Sequence, residues 1–379
     1  MNFWQNLKKP IMVLAPLADV TDPAFRCIIA KYGKPDVMWT EFVSADGLFL
    51  SPVREYCEKF LNKEITKKEL EELSNGIGGS ALIKDLAFTE SERPIVAQFF
   101  TSKPEMMEKA AELACDLGFD GIDINMGCPD KSVEKQGSGA AHIRDFKHAQ
   151  EIILATKRGV QRSMEKGQTQ GETSQPRSTS ALGRPVSVKT RVGYNNNQLE
   201  EWLPALLEVE PAVVTIHART RKEMSNVPAR WEHIKRAVEI RNNFVNSEGK
   251  KSQTLIFGNG DVTDTDDARK KCQETGCDGV MLGRAIFGNP WLFADSQELP
   301  LNASSSRTVL GIRDKLRVMV EHTKLFEELL PHKSFAIMKK HYKAYVTGWD
   351  GAKELRMKLM EAKDANEVEN ITTCFLFSL

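Results

Sequence analysis

The chain has 379 residues, 41% of them apolar, and its 52 lysines and arginines are matched by 52 aspartates and glutamates. That length allows one large domain plus a smaller one, and that apolar fraction is ordinary for a chain with a sizeable core. Balanced charge excludes overall electrostatics as the way of meeting a polyanion, so any such partner needs a local basic surface.

Short apolar, β-rich runs recur at residues 11–15, 37–40, 95–99, 121–125, 186–190, 213–217, 255–258 and 279–283. Longer amphipathic stretches separate them, among them 104–117 and 264–274, the second opening on Asp264 as an N-cap and closing before Gly276. Strand alternating with helix predicts a parallel sheet covered by helices. Eight such units with no G-x-G-x-x-G after the first strand favour a closed α/β (β/α)8 TIM barrel over a doubly wound sheet.

Three stretches read as insertions. Residues 62–90 are charged and then Gly-rich, forming an excursion after the second strand that serves as a lid or a plain loop. Residues 163–183 are rich in Ser, Thr, Gln and Gly and nearly devoid of apolar side chains, which predicts disorder. Residues 242–253 read as a shorter polar loop of the same kind.

From about Thr308 the pattern becomes helical, with Ile312, Leu316, Met319, Val320, Thr323 and Phe326 at helical spacing. The expected division is a barrel over residues 1–305 and a helical domain over 306–379. Between Ser306 and Lys363, 13 Lys/Arg face 7 Asp/Glu, so the basic surface missing from the whole is concentrated here. Lys339, Lys340 and Lys343, interleaved with His341, Tyr342 and Tyr345, suit phosphates and stacked bases.

Seven cysteines at wide spacings, with no C-x-x-C pair, argue against a disulfide scaffold and a zinc ribbon and fit a reducing compartment with no metal centre. No run approaches the roughly 20 apolar residues of a membrane span. The apolar run at 11–15 is bracketed by Pro10 and Pro16 without a cleavage signature. These features predict a cytoplasmic protein.

In a (β/α)8 barrel the chemistry sits on the loops after the strands, so the polar residues just past each run are the candidates. They are Pro16, Leu17 and Ala18; Gln98; Asn125 and Cys128; Lys189 and Arg191; His217 and Arg219; Asn259, Gly260 and Asp261; and Gly283 and Arg284. Asn125-Met126-Gly127-Cys128-Pro129 ends a strand with a thiol beside a carboxamide, and Gly127 and Pro129 bracket the cysteine in a turn facing a cleft. The glycine-containing turns at 258–261 and 282–285 suit an anionic phosphate, with Arg284 able to add a cation. Lys189 suits either the electron-rich ring atom of a cofactor or a Schiff base, and His217 a hydrogen bond to the same group or to a substrate carbonyl.

These residues resemble the tRNA-dihydrouridine synthases. The likeness runs from Leu14-Ala15-Pro16-Leu17-Ala18-Asp19 through Asn125-Met126-Gly127-Cys128-Pro129, Val188-Lys189-Thr190-Arg191 and His217-Ala218-Arg219-Thr220. It continues in Gly258-Asn259-Gly260-Asp261-Val262, Leu282-Gly283-Arg284-Ala285 and Gly288-Asn289-Pro290-Trp291, and the helical tail looks like that family's RNA-binding domain. The resemblance implies FMN-dependent reduction of the C5–C6 double bond of uridines in tRNA, with NADPH as electron source. It makes Cys128 the general acid at uracil C5. It places Pro16, Leu17, Ala18, Gln98, Lys189 and His217 around the flavin ring. Asn259, Gly260, Asp261, Gly283 and Arg284 would hold the ribityl and phosphate end. Asn125, Arg191 and Arg219 fall on the substrate side, and a monomer is compatible with that work.

The chain departs from the family pattern at Leu17, where methionine is usual, at Thr101, where glycine is common, and at His142, where an aliphatic residue follows Gly-Ala-Ala. The competing readings are an FMN-dependent barrel dehydrogenase acting on a free pyrimidine, a Lys189 Schiff-base aldolase and a non-catalytic tRNA-binding protein. The first leaves the basic helical tail without a purpose, and the second needs no flavin.

Overall fold

The computed structural model describes residues 2–169, 183–294 and 309–377. Eight strands, β1 (Ile11–Leu14), β2 (Met38–Ser44), β3 (Ile95–Phe100), β4 (Gly121–Met126), β5 (Val186–Arg191), β6 (Val213–His217), β7 (Leu255–Asn259) and β8 (Gly279–Leu282), form one sheet. All seven ladders are parallel, in the order β1-β8-β7-β6-β5-β4-β3-β2. The two ends of that order meet through a parallel bridge from Val13 to Val37, with the Leu14 N–H donating to the Val37 carbonyl, so the sheet closes on itself. This is the predicted (β/α)8 barrel.

Side chains alternate along a strand, and residues in register on neighbouring strands share a face. Ile122, Ile124, Val188, Val214, Ile216 and Val280 on the outer face are fully buried, as a sheet covered by helices requires. The inner face carries layers fixed by register. Gln98, Asp123, Ser187 and Val213 make one, Asn125, Lys189, Thr215 and Phe257 the next, and Arg191, His217, Asn259 and Met281 the last. The polar layers therefore lie toward the strand C-termini. Trp4 lies edge-on to Phe257 at 5.5 Å and is 2% exposed.

By its contacts the chain divides into two compact units. One gathers 1–16, 36–86 and 93–283; the other gathers 17–35, 87–92 and 284–379. The sequence pattern alone assigns 17–35 and 87–92 to the barrel, whereas the helix Pro23–Tyr32 packs with Val309–Leu329 in the helical unit. Ala24 and Ile28 of the first join Leu316, Met319, Phe326, Tyr342 and Leu355 in one apolar core.

The expected disorder at 163–183 is corrected where the structure describes it. The helix Phe146–Thr169 continues through Ser163, which bonds Asp116 at 2.6 Å, and Lys166, which reaches Glu112; residues 170–182 lie outside the described residues. Residues 62–90 form the short helices Lys67–Leu73 and Ser80–Asp85, pinned by buried Leu70, Ile83 and Leu86. Among the described residues no helix is long and apolar enough to cross a membrane.

The aromatic part of the basic segment is also corrected. Tyr342 is 0% and Tyr345 1% exposed inside the helical unit, so neither is available to stack on a base, while Lys343 is exposed and can meet a phosphate. His322 and His341 lie beside them, ring centroids 4.7 Å apart, and neither ring has a hydrogen-bond partner. Burial holds both neutral, His322 down to about 3 and His341 well below the usual histidine range, the latter also repelled by His322 and Lys340. Histidines depressed in the folded state bind fewer protons than in the unfolded chain, so stability is lost as pH falls below the unfolded value of about 6.5. The slope is up to roughly 1.4 kcal/mol per pH unit for each histidine, continuing toward the folded value. Urea midpoints measured from pH 7.5 to 5 are expected to fall accordingly, and His322→Phe to flatten the fall.

Candidate active site

β4 delivers Asn125 to the inner face, and the chain then turns sharply. Asn125 Oδ1 accepts from the backbone N–H groups of Gly127 (3.1 Å) and Cys128 (2.9 Å), an Asx-type turn that fixes the cysteine's backbone. The Cys128 carbonyl accepts from the Ala140 N–H at 2.9 Å. Gly139 makes that contact possible, for its φ is +62° and a Cβ there would lie 2.7 Å from the Cys128 oxygen. Cys128 itself is half-buried. Burial is the main influence on its thiol and raises it above the ordinary cysteine range; a backbone hydrogen bond from Asp130 and the charges of Lys189 and Arg191 only partly oppose this. The group is therefore a protonated thiol at neutral pH, an acid and not a thiolate nucleophile.

Arg191 is tied to the protein through two of its nitrogens. Its Nε donates to the Gly127 carbonyl (2.8 Å) and its Nη1 to the carbonyls of Thr220 (3.1 Å) and Met224 (3.0 Å), tying the cysteine loop to the loop after β6. Arg219 is similarly engaged, with Asp261, with the Val227 carbonyl at 2.6 Å and with His217 Nε2 at 3.0 Å. A guanidinium offers only donors, so His217 Nε2 holds the lone pair and Nδ1 carries the proton. Both arginines thus brace the mouth that the other side chains line.

Lys189 occupies the middle inner layer beside Asn125 and is half-buried. No acceptor among the described residues takes a hydrogen bond from it, and burial, then the Arg191 charge, lowers its ammonium to about 8. Across the mouth, Asn259 Nδ2 donates to the Met281 carbonyl at 2.7 Å, and the Gly260 carbonyl accepts from Trp231 Nε1 at 2.9 Å. Gly260 has φ +122°, and a Cβ there would meet His217 Cδ2 at 3.0 Å, so only glycine fits against that ring. Asp261 also adopts positive φ, and its Oδ2 accepts from the Ala229 N–H at 2.8 Å. Pro16 and Gly283 follow β1 and β8.

Leu17, Ala18 and Arg284 belong to the helical unit. The Leu17 N–H donates to Thr21 Oγ1 at 3.0 Å, while Ala18 and Arg284 are exposed. The barrel thus brings together Gln98, Asn125, Cys128, Lys189, His217 and Asn259. Of the departures from the family pattern, Thr101 and His142 touch one another, His142 Nε2 lying 3.1 Å from the Thr101 carbonyl. Gln98 keeps its register with Asp123 despite them.

Two inner-face residues escaped the strand-end search, Asp123 and Ser187. Their signal was the period of two along β4 and β5, which places Asp123 with Asn125 and Ser187 with Lys189 on one face.

A closed parallel barrel with a turn-held thiol acid, a half-buried lysine and a braced histidine at its C-terminal mouth defines an enzyme of the α/β-barrel class. The model of the family described as "Dihydrouridine synthase (Dus)" matches residues 13–166 and 177–378, and this chain belongs to that family. The Bacillus subtilis (strain 168) protein named "Probable tRNA-dihydrouridine synthase 2" is 35% identical over 375 residues, covering 99% of this chain and 96% of its own. A Staphylococcus epidermidis protein named "Probable tRNA-dihydrouridine synthase" is 34% identical over 377 residues, with coverage of 99% and 96%. Among solved structures, histamine dehydrogenase from Rhizobium sp. 4-9 aligns with a TM-score of 0.48 at 13% identity, covering 83% of this chain and 48% of that one.

Proposed function

We propose that this chain is a flavin-dependent oxidoreductase that reduces the C5–C6 double bond of uridine in tRNA to give dihydrouridine, with FMN as cofactor and NADPH as electron donor. The observation that carries the reading is the half-buried Cys128 thiol, fixed by Asn125 at the barrel mouth of a chain whose family match spans nearly its whole length.

The donor set suits a flavin. Lys189 is a recessed cation without an acceptor among the described residues, as an electron-rich ring edge requires, and His217 presents a protonated Nδ1 beside it in the adjoining layer. Gly260 lets the backbone pack directly against His217, where a Cβ would lie 2.9 Å from Ala229 Cβ and 3.0 Å from His217 Cδ2. Asn259, Gly260, Asp261 and Gly283 would take the ribityl and phosphate end. Bound and reduced, a flavin supplies hydride to uracil C6.

The protein's own task is then the proton. Cys128 donates it to C5, and because burial keeps the thiol protonated no base is needed to prepare it. Asn125 holds that loop and faces the base, while Arg191 and Arg219 act by bracing the mouth. A uridine inside folded tRNA must leave its stack to reach such a recess. We assign the backbone grip to the helical domain and its lysines, the site of action to the cytoplasm, and sufficiency to a monomer.

The test is twofold. Purified protein is expected to be yellow, with oxidised-flavin absorbance at roughly 450 nm, and tRNA from cells lacking the protein is expected to lose dihydrouridine at defined positions. Colourless protein whose removal leaves every dihydrouridine in place would overturn the reading in favour of a non-catalytic RNA-binding role.

A further inference from the structure

One carboxylate inside the barrel is joined to the cysteine loop by an unbroken line of hydrogen bonds. Asp123 on β4 is 1% exposed, and its Oδ1 accepts from Ser187 Oγ at 2.5 Å. Its Oδ2 accepts from Gln98 Nε2 at 2.6 Å. Gln98 Oε1 in turn accepts from Asn125 Nδ2 at 3.2 Å, and Asn125 Oδ1 accepts from the N–H groups of Gly127 and Cys128. The line follows from register, because Asp123 and Asn125 share the inner face of β4 and Gln98 is the β3 partner of Asp123.

The direction of this line is set at both ends. An ionised carboxylate only accepts, and backbone N–H groups only donate. Gln98 must therefore turn its NH2 to Asp123 and its oxygen to Asn125, and Asn125 must turn its NH2 to Gln98 and its oxygen to the loop. Reversing the two amides would set oxygen against carboxylate at one end and NH2 against two N–H groups at the other, leaving buried groups unpaired at both. Burial raises the Asp123 carboxyl to about 6, opposed by the Gln98 and Ser187 hydrogen bonds and the Lys189 charge, so it remains mostly ionised at neutral pH.

We propose that Asp123 is a positioning residue for the proton transfer, the acceptor-only end of a line that orients Gln98 and Asn125 and so sets the attitude of Cys128. This inference rests on Cys128 being the proton donor of the proposed reaction. Asp123 touches neither the thiol nor the loop; it acts through two amides.

The experiment compares Asp123→Asn and Asp123→Leu in the flavin-loaded protein, with Gln98→Met as a second way of breaking the line. Three quantities are read: single-turnover dihydrouridine formation by dithionite-reduced protein on an unmodified tRNA transcript, tRNA affinity, and the rate of Cys128 alkylation by iodoacetamide. The carboxamide introduced by Asp123→Asn still offers an oxygen to Gln98, so that variant is expected to stay within about threefold of the native rate. Asp123→Leu and Gln98→Met are expected to lose about 100-fold, the scale of a reacting group misplaced by an ångström. Their Cys128 alkylation rate should shift, and in Asp123→Leu flavin content and tRNA affinity should hold.

A native rate in Asp123→Leu overturns the proposal. So does an Asp123→Asn variant as slow as Asp123→Leu, or a loss of rate in Asp123→Leu that merely tracks lost flavin or tRNA binding. If Asp123→Leu does not fold, Gln98→Met with an unchanged alkylation rate overturns it equally. Failure of the native protein to form dihydrouridine would sink the reaction assignment instead, and the alkylation comparison would still decide whether the line governs Cys128.

Discussion

Cys128→Ala is expected to abolish dihydrouridine formation while leaving the protein folded, flavin-loaded and able to bind tRNA. Removing a positioned general acid costs typically 10²- to 10⁴-fold, and nothing nearby among the described residues replaces the thiol. Asp130, two residues on, is spent on its own turn, with Oδ1 accepting from the Ser132 N–H at 2.8 Å and from the Ser132 hydroxyl. Lys189 is a proton carrier on the inner face of the neighbouring strand, and the proposed function assigns it to the cofactor. The substitution is sterically mild, since alanine keeps the Cβ and the half-buried site loses one sulfur. The measurement is dihydrouridine per tRNA after a single turnover of reduced protein, beside the rate at which NADPH reduces the bound flavin. The first should fall by at least about 100-fold and the second should not change. Equal losses in both would assign Cys128 to the cofactor and not to the uracil.

The barrel was legible because strands buried on both faces read as short apolar runs whatever their sequence context. The run that was cut short, 37–40 for a strand reaching Ser44, shows why the reading has limits. The β2 register shifts between Trp39 and Phe42, and Glu41 sits within it, so neither continuous apolarity nor clean alternation survives past Thr40. Composition misjudged 163–169 for a different reason. That stretch has little apolar surface, yet Ser163 and Lys166 are tied to Asp116 and Glu112 of the neighbouring helix Pro104–Leu117, and such polar ties leave no hydropathy signal. The candidate residues were legible as strand ends, but their uses were not. Arg191 and Arg219 read as substrate-side groups, and their grip on backbone carbonyls and a histidine carries no signal in the sequence. Tyr342 and Tyr345 read as base-stacking groups and prove to be core, because nothing in a helical pattern distinguishes the face that packs from the face that binds.

Arg26→Met is expected to destabilise the helical unit by about 3–5 kcal/mol, the cost of leaving a buried charge without its partner. Arg26 and Glu92 are both wholly buried, with Nε donating to Oε2 at 2.7 Å. The guanidinium also serves the carbonyls of Thr21 (2.7 Å) and Ala87 (2.5 Å), and Glu92 Oε1 accepts from the Thr89 N–H at 2.7 Å. One pair therefore fastens the segment 87–92 to the helix Pro23–Tyr32 inside the helical unit. Since the penalty comes from the orphaned charge and not from the lost attraction alone, removing the partner as well should recover part of it. The double variant Arg26→Met, Glu92→Leu is expected to unfold in urea later than Arg26→Met alone, yet short of the native protein, because the Thr21 and Ala87 carbonyls still lack their donor. Additive losses across the two sites would instead mean that the pair is held apart by water and that its members contribute independently.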